Sequence, residues 1–141
     1  MARVLIMDSL KNLLTLSGRA AIVTGAAKGI GFGIAYRLAE AGASVLIADN
    51  DEQGAINAAK KLTEQGYKAI SITTDVSVED DIIQMVNTCE KEFGSVDILV
   101  NNAGVFPSVP VSSMSSEQFE KVMHINLRSV FLATKYAASA M

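Results

Sequence analysis

The stretch TGAAKGIG, residues 24–31, joins a short apolar run, AAIVTG at residues 20–25, to a helical pattern that ends at Gly42. A short run of apolar and β-branched residues predicts a buried strand, and apolar residues at helical spacing predict a helix. Gly25, Gly29 and Gly31 stand at the junction between the two. A strand, a glycine-rich turn and a helix in this order predict the first unit of a parallel α/β sheet.

The rest of the chain repeats this alternation. Apolar runs at residues 44–49, 68–75 and 96–104 predict three further strands, and residues 51–66 and 77–94 predict helices that end at glycines. A fourth helix is predicted over residues 115–141, and capping boxes are expected at Ser77 with Asp80 and at Ser115 with Gln118. The alternation predicts a doubly wound parallel sheet of Rossmann type in three αβα layers.

Length and charge limit the classes of protein. The chain has 141 residues, half of them hydrophobic, and a net charge of −3. We expect residues 1–16 to form an N-terminal extension and residues 17–141 to be the N-terminal part of a single Rossmann-type domain. Scattered lysines and arginines offer no basic surface for nucleic acid, and no stretch approaches the ~20 apolar residues of a membrane span.

The chain contains one cysteine, Cys89. A single cysteine cannot form an intramolecular disulfide, which favours a reduced, cytoplasmic location. We expect it to be a half-buried helix thiol, and we predict no metal site.

The glycine turn and the acid that ends the second strand predict a dinucleotide site. Backbone N–H groups at a helix N-terminus bind a pyrophosphate most closely where the turn lacks side chains. Asp49 is placed to accept hydrogen bonds from the adenosine ribose, and it would repel a 2′-phosphate by ~4 kcal/mol at ~4 Å and an effective dielectric constant of ~20. Lys28 could neutralise such a phosphate or remain a solvated turn residue. NAD is therefore expected rather than NADP.

Three motifs in this order resemble the short-chain dehydrogenase/reductase family: TGAAKGIG, Asp75 with Val76, and NNAG at residues 101–104. The glycine spacing TGxxxGxG is that of the oxidoreductase branch, and the resemblance runs from about Leu16 to the end of the chain. It implies that Asp49 meets the adenosine ribose and that Asp75 and Val76 border the adenine. It also implies a pyrophosphate site lined by Gly25, Gly29, Ile30 and Gly31, with Lys28 as a further candidate.

The NNAG segment is implied to lie along the same cofactor. Asn102, Ala103 and Gly104 would border the adenosine side and the ribose next to the nicotinamide. The alternative is that the amides of Asn101 and Asn102 only tie the fourth strand to its neighbours, and for Asn101 this is the interpretation we favour.

Asn126 is the candidate catalytic residue. Together with Phe119, Met123, Val130 and Ala137 it recurs at helical spacing, which predicts an amide on an apolar, inward face of the fourth helix. The segment HINLRSVF resembles the family segment whose asparagine holds a water linked to the active-site lysine. A purely structural role for the amide is the alternative.

The family's proton-transfer residues are not found among these residues. The resemblance implies a serine and a tyrosine followed four positions later by a lysine, because a tyrosine of ordinary pKa ~10 is a poor base at neutral pH. The residues four positions after Tyr36, Tyr67 and Tyr136 are Glu40, Ser71 and Ala140. We therefore expect an N-terminal, cofactor-binding portion that is incomplete at its C-terminus and inactive alone.

The function implied by the resemblance is NAD-dependent interconversion of a secondary alcohol and a ketone by hydride transfer on a small molecule. The resemblance also implies a homo-oligomer, a dimer or tetramer, formed through the fourth helix. Because no tyrosine–lysine pair is found, the alternative is a non-catalytic NAD-binding sensor or interaction protein.

Overall fold

A computed structural model describes residues 13–141, and residues 1–12 of the expected N-terminal extension lie outside the described residues. Within residues 13–141 the structure has four strands, β1 Ala20–Thr24, β2 Ser44–Asp49, β3 Ala69–Thr73 and β4 Ile98–Val100. They form one parallel sheet in the order β3-β2-β1-β4. The chain runs outward from β1 through β2 to β3 and then crosses back to place β4 on the other side of β1, as a doubly wound fold requires.

One helix follows each of the first three strands, and two α-helices follow β4. They are α1 Gly29–Glu40, α2 Glu52–Thr63, α3 Glu79–Phe93, α4 Ser116–Met123 and α5 Ser129–Ala140. A short 3₁₀ helix, Val111–Ser113, precedes α4, and a π-helix, His124–Arg128, joins α4 to α5. The predicted Rossmann-type parallel sheet is confirmed.

The core has two parts, one on each face of the sheet. Val23 and Ile47 face α1 and α2, where the helices present mainly alanines and Leu62. Ile22 and Leu46 face the other way, toward α3 and α5. Successive side chains of a strand point to opposite faces, so strands that are apolar throughout need helices on both sides. The three predicted αβα layers follow from this pattern.

Two predicted local features differ in outcome. The capping box of Ser115 and Gln118 is present, with the Gln118 N–H donating to Ser115 Oγ at 3.2 Å and the Ser115 N–H donating to Gln118 Oε1 at 3.0 Å. The box predicted at Ser77 is wrong, because α3 begins at Glu79 and the N–H and hydroxyl of Ser77 both donate to Asp75 Oδ1. Ser77 therefore uses its hydroxyl on Asp75, two residues before it, and does not cap α3.

The predicted fourth helix is interrupted, and its predicted inward face is wrong. Phe119 and Met123 are 55% and 37% exposed, Asn126 is also exposed, and only Ala137 of that stripe is buried. The buried residues of α5 are Ser129, Leu132, Ala133 and Ala137. A π-helix places an extra residue in the turn, and each residue advances the helix face by about 100°. The face that α5 buries is therefore out of phase with the pattern carried over from α4.

Asp97 fastens the start of β4 to the start of β1. Its carboxylate accepts hydrogen bonds from the backbone N–H of Ala20 at 2.9 Å, the Arg19 guanidinium at 2.7 Å and the Ser95 hydroxyl at 2.8 Å. These bonds, the one from Ala20 foremost, lower the pKa of Asp97 to about 2 from an ordinary 3.8. A group with a lowered pKa in the folded protein stabilises it above its unfolded pKa, and that stabilisation is lost as the pH falls through the folded pKa.

We predict that Asp97→Asn lowers the melting temperature at pH 7 by a few degrees, because the amide loses the charge and part of the acceptor capacity. The variant should also show a shallower loss of melting temperature between pH 4 and pH 2, the interval bounded by the two pKa values. Circular dichroism melts across this range measure both effects. Glu120→Gln, at an exposed acid, serves as the control, and identical pH profiles for Asp97→Asn and the wild type would contradict the prediction.

Candidate functional site

A cleft of about 250 Å³ opens at the carboxyl ends of the strands. The segments that follow β1, β2, β3 and β4 all contribute to its walls, and Ile125 of the π-helix closes one side. Open parallel sheets bind ligands at this edge, beside the point where the strand order reverses. The topology thus brings together residues that are far apart in the sequence.

Most of the predicted cofactor residues line this cleft. They are Gly25, Lys28, Asp49, Asp75, Val76, Asn102, Ala103 and Gly104. Gly29, Ile30 and Gly31 lie in the first turn of α1 and are not among the lining residues.

Sequence reasoning missed four lining residues: Asn50, Thr74, Val105 and Ile125. Three of them are direct neighbours of predicted residues at strand ends, and that adjacency was the available signal.

The glycine turn is shaped by close packing within the protein. Gly25 has φ +63°, and a Cβ there would lie 2.9 Å from the Cα of Ala103. A Cβ on Gly31 would lie 2.2 Å from the carbonyl oxygen of Gly25 and 2.5 Å from Asn102 Nδ2. No side chain fits at either position, because real Cβ atoms do not approach backbone so closely. Glycine at position 31 therefore lets α1 begin directly against the turn.

The side chain of Asn102, which follows β4, is hydrogen-bonded to the glycine turn. Its side-chain Nδ2 donates to the carbonyl oxygens of Thr24 at 2.9 Å and Gly25 at 3.0 Å. The Thr24 hydroxyl accepts from the N–H groups of Asn102 at 3.0 Å and Ala103 at 3.1 Å and donates to the Val100 carbonyl at 3.3 Å. The amide of Asn102 is thus bound to the backbone of β1, as the structural alternative expected, while the residue also lines the cleft.

Asp49 presents a half-buried carboxylate at the end of β2. Its Oδ2 accepts from the N–H of Ala27 at 2.9 Å, and its Oδ1 accepts from the N–H of Asp51 at 3.0 Å. A carboxylate offers about four lone-pair sites, so each oxygen retains capacity for a further donor. The carboxylate is held in place by the glycine turn and can still accept hydrogen bonds from a ligand in the cleft.

Asp75 is an ionised acceptor that lines the cleft just after β3, the strand next to β2. The side-chain and backbone hydrogen bonds from Ser77, at 2.7 and 2.9 Å, lower the pKa of Asp75, and the charge of Lys121 adds to the effect. Both bonds from Ser77 use Oδ1, while the N–H of Asp75 donates to Asp81 Oδ2 at 2.9 Å. The loop after β3 is therefore fixed around a negatively charged oxygen pair.

Asn126 connects the π-helix to the segment after β4. Its Oδ1 accepts from the N–H of Val105 at 2.8 Å, and its Nδ2 donates to the carbonyl oxygen of Val105 at 2.9 Å. The side chain is exposed, so the partners predicted for a buried amide are found, but on an exposed residue. Asn101 instead reaches α5, with Nδ2 at 3.5 Å from Thr134 Oγ1.

Tyr136 and Cys89, which the sequence analysis considered, lie outside the cleft. The Tyr136 hydroxyl donates to Glu79 Oε1 at 2.5 Å, which ties α5 to the start of α3, and Lys135 Nζ lies 3.3 Å from the same hydroxyl. Cys89 is buried, and this burial raises the pKa of its thiol to about 11. His124 is exposed, with Nδ1 at 3.0 Å from the Glu120 carbonyl oxygen. Tyr136 and Cys89 are not among the residues that line the cleft, whereas His124 lines an adjacent pocket that shares Asp75, Val105 and Ile125 with it.

Two kinds of feature are absent from residues 13–141. No helix there combines the length and apolar character needed to cross a membrane. The same residues contain no group of three or more histidine, cysteine or acidic side chains arranged to hold a metal ion.

The parallel sheet and the glycine turn define a Rossmann-type α/β protein. A family described as short chain dehydrogenase matches residues 19–141. The chain therefore belongs to the short-chain dehydrogenase family.

Characterised relatives support this assignment. The chain is 39% identical over 132 residues to 3beta-hydroxysteroid dehydrogenase 2 of Eggerthella lenta, covering 93% of this chain and 51% of the relative. It is 37% identical over 128 residues to galactitol 2-dehydrogenase of Agrobacterium fabrum, covering 91% and 49%. A crystal structure of a dehydrogenase/reductase from Sinorhizobium meliloti superposes with a TM-score of 0.91 at 32% identity, covering 96% of this chain and 54% of that one. The chain spans about half the length of the curated relatives it matches.

We predict that Gly31→Ala destabilises the protein by about 1–3 kcal/mol, because the added methyl group meets the Gly25 carbonyl oxygen and Asn102. Gly33→Ala is the matched control in the same helix, since a Cβ there meets nothing within 4 Å. That control should be neutral or stabilising by up to ~1 kcal/mol. Urea denaturation of both variants measures the difference, and equal stabilities would contradict the packing role of Gly31.

Proposed function

We propose that the protein is an oxidoreductase that interconverts a secondary alcohol and a ketone of a small molecule by hydride transfer with NAD(H). The observation that carries the proposal is the cleft, which gathers the glycine turn, Asp49 and Asp75 at one edge of the sheet. Membership of the short-chain dehydrogenase family supports it. So do the names of two relatives, which describe dehydrogenases of a hydroxysteroid and of galactitol.

The residues present fit a dinucleotide. The start of α1 has no side-chain cap, and uncapped N–H groups with the helix dipole favour a pyrophosphate. A side chain at Gly25 would fill the space beside Ala103, so the turn keeps its backbone accessible to phosphates.

We propose the individual assignments that the family resemblance implies. Gly25, Gly29, Ile30 and Gly31 with Lys28 hold the pyrophosphate, Asp49 binds the adenosine ribose, Asp75 and Val76 border the adenine, and Asn102, Ala103 and Gly104 lead to the nicotinamide ribose. When bound, the nicotinamide supplies the hydride acceptor or donor, and the chain's own residues bind and orient it.

Asp49 supports NAD as the cofactor rather than NADP. Its carboxylate is anchored by Ala27 and Asp51, so it cannot swing away from a 2′-phosphate on the ribose that it binds. Lys28 is exposed and its long side chain can turn toward solvent, which makes it a weaker compensating charge. The fixed negative charge outweighs the mobile positive one.

We predict that Asp49→Ala narrows the preference for NAD over NADP at least tenfold, measured as the ratio of the two dissociation constants. The removed repulsion is on the order of 4 kcal/mol at ~4 Å, and only part of it is offset by the lost ribose hydrogen bonds. Glu52→Ala removes the same charge at an exposed neighbouring position and should leave the ratio within twofold. An unchanged ratio in Asp49→Ala would show that Asp49 does not select the cofactor.

The role we propose for Asn126 is catalytic support from the π-helix. Its amide is engaged with both backbone groups of Val105, so it fixes the segment that leads to the nicotinamide end of the cleft. Oδ1 keeps a second lone pair and Nδ2 a second N–H, which are available to a water linked to an active-site lysine. Five-residue π-helices are frequent at functional sites, which supports this assignment.

Assembly and location rest on family resemblance and on surface composition. We propose a cytoplasmic homo-oligomer, a dimer or tetramer. Phe119, Leu127 and Phe131 expose 55%, 58% and 63% of their surfaces on α4, the π-helix and α5, and a subunit contact would cover such side chains.

The decisive experiment is a hydride-transfer assay. We predict that the native full-length protein reduces NAD in the presence of a secondary alcohol from a panel that includes hydroxysteroids and polyols, followed by absorbance at the nicotinamide band. A polypeptide limited to residues 1–141 should bind NAD but show no turnover, because none of its tyrosines is followed four positions later by lysine. Turnover by the purified 141-residue polypeptide would contradict the expectation that residues 1–141 lack the proton-transfer group. Binding without turnover in the native full-length protein would favour a non-catalytic NAD-binding protein.

A further inference from the structure

Thr74 is a buried polar residue of the cleft to which the proposed function gives no role. The residue is only 2% exposed, and its hydroxyl has no hydrogen-bond partner within residues 13–141. It nevertheless lines the cleft, next to Asp75 and Val76. Buried hydroxyls are almost always hydrogen-bonded, so an unpartnered one beside a ligand cleft requires an explanation.

The position of Thr74 is fixed by its backbone. It follows β3 directly, and its N–H donates to the carbonyl oxygen of Asp49 at 2.9 Å. Alternation along the strand puts Thr74 on the same face as Ile70 and Ile72, which pack on the side of α3 and α5. Thr74 continues that apolar face to the point where the strand ends and the cleft begins.

The cleft combines apolar and polar walls. Val76, Val105 and Ile125 are among its apolar lining residues, and Asp75 stands next to Thr74 in the chain. Ligand pockets combine such apolar walls with a few polar groups that fix the orientation of the ligand. The Thr74 hydroxyl, which can both donate and accept, is a group of this kind.

We infer that Thr74 is a specificity-determining residue of the adenine subsite, where its hydroxyl forms a hydrogen bond with the polar edge of the adenine ring. The inference rests on the proposed function. Adenine has flat faces that suit Val76 and Ile125, and its edge carries both an amino donor and ring-nitrogen acceptors. The Oγ1 atom is itself buried, and rotation of χ1 to another staggered position brings it to the cleft without moving the anchored backbone.

The test is Thr74→Val in the native full-length protein, because valine keeps the shape and removes the hydroxyl. The dissociation constants for NAD and for AMP, measured by titration calorimetry, should both rise about 3–10-fold, the effect of one hydrogen bond. The melting temperature of the ligand-free variant should be equal to or above that of the wild type, because an unpartnered polar group is removed from the interior. A purely structural hydroxyl would give the opposite shift in melting temperature.

Two control variants sharpen the result. Thr74→Ser retains the hydroxyl and should keep both dissociation constants within twofold of the wild type. Thr73→Val makes the same chemical change at the exposed neighbouring residue and should change neither binding nor stability.

Three outcomes would overturn the inference. Wild-type affinities in Thr74→Val, or a lower ligand-free melting temperature in that variant, would overturn it while leaving the proposed function standing. A wild-type protein that binds neither NAD nor AMP would overturn the proposed function and this inference together.

Discussion

The contact between α1 and the glycine turn is the constraint on which the rest of the site depends. Gly31 packs so closely on the Gly25 carbonyl oxygen that a single Cβ would not fit, and Asn102 holds the same carbonyl from the β4 side. The Thr24 hydroxyl accepts hydrogen bonds from two backbone N–H groups and donates one to a backbone carbonyl oxygen. These bonds join β1, α1 and β4 at one point, so the cleft has a rigid base before any ligand is bound.

The polar side chains around this base fall into two kinds. Asn102 and Asn126 use their amides on backbone groups, and each joins the segment after β4 to a neighbouring element. Asp49 and Asp75 are also held by backbone N–H groups, but a carboxylate has more acceptor sites than these bonds use. The amides thus build the cleft, and the carboxylates give it a negative, hydrogen-bond-accepting character that suits ribose hydroxyls and an adenine amino group.

The sequence predicted the alternation of strands and helices and most of the residues that line the cleft, because apolar periodicity and glycine turns are local signals. It did not predict the π-helix, since a change from i→i+4 to i→i+5 bonding leaves no periodic trace in so short a segment as His124–Arg128. The inward placement of Asn126 failed because α4 and the π-helix bury no residue, so the stripe that begins at Phe119 does not face the core. Thr74 was missed because its isolation depends on which residues the tertiary structure brings near it, and a threonine at the end of a strand is otherwise ordinary.

The positions of the three tyrosines explain why we propose none of them as the proton-transfer residue. Tyr67 precedes β3 and stacks edge-on with Tyr36, whose hydroxyl donates to Gln65, so both lie toward the amino edge of the sheet, opposite the cleft. The Tyr136 hydroxyl donates a hydrogen bond to Glu79 at the contact of α5 with α3. A general base must reach the reacting hydroxyl, and proximity to the nicotinamide is the first requirement. All three phenols therefore lie away from the cleft, and the contribution that we propose for residues 13–141 is the binding of the cofactor.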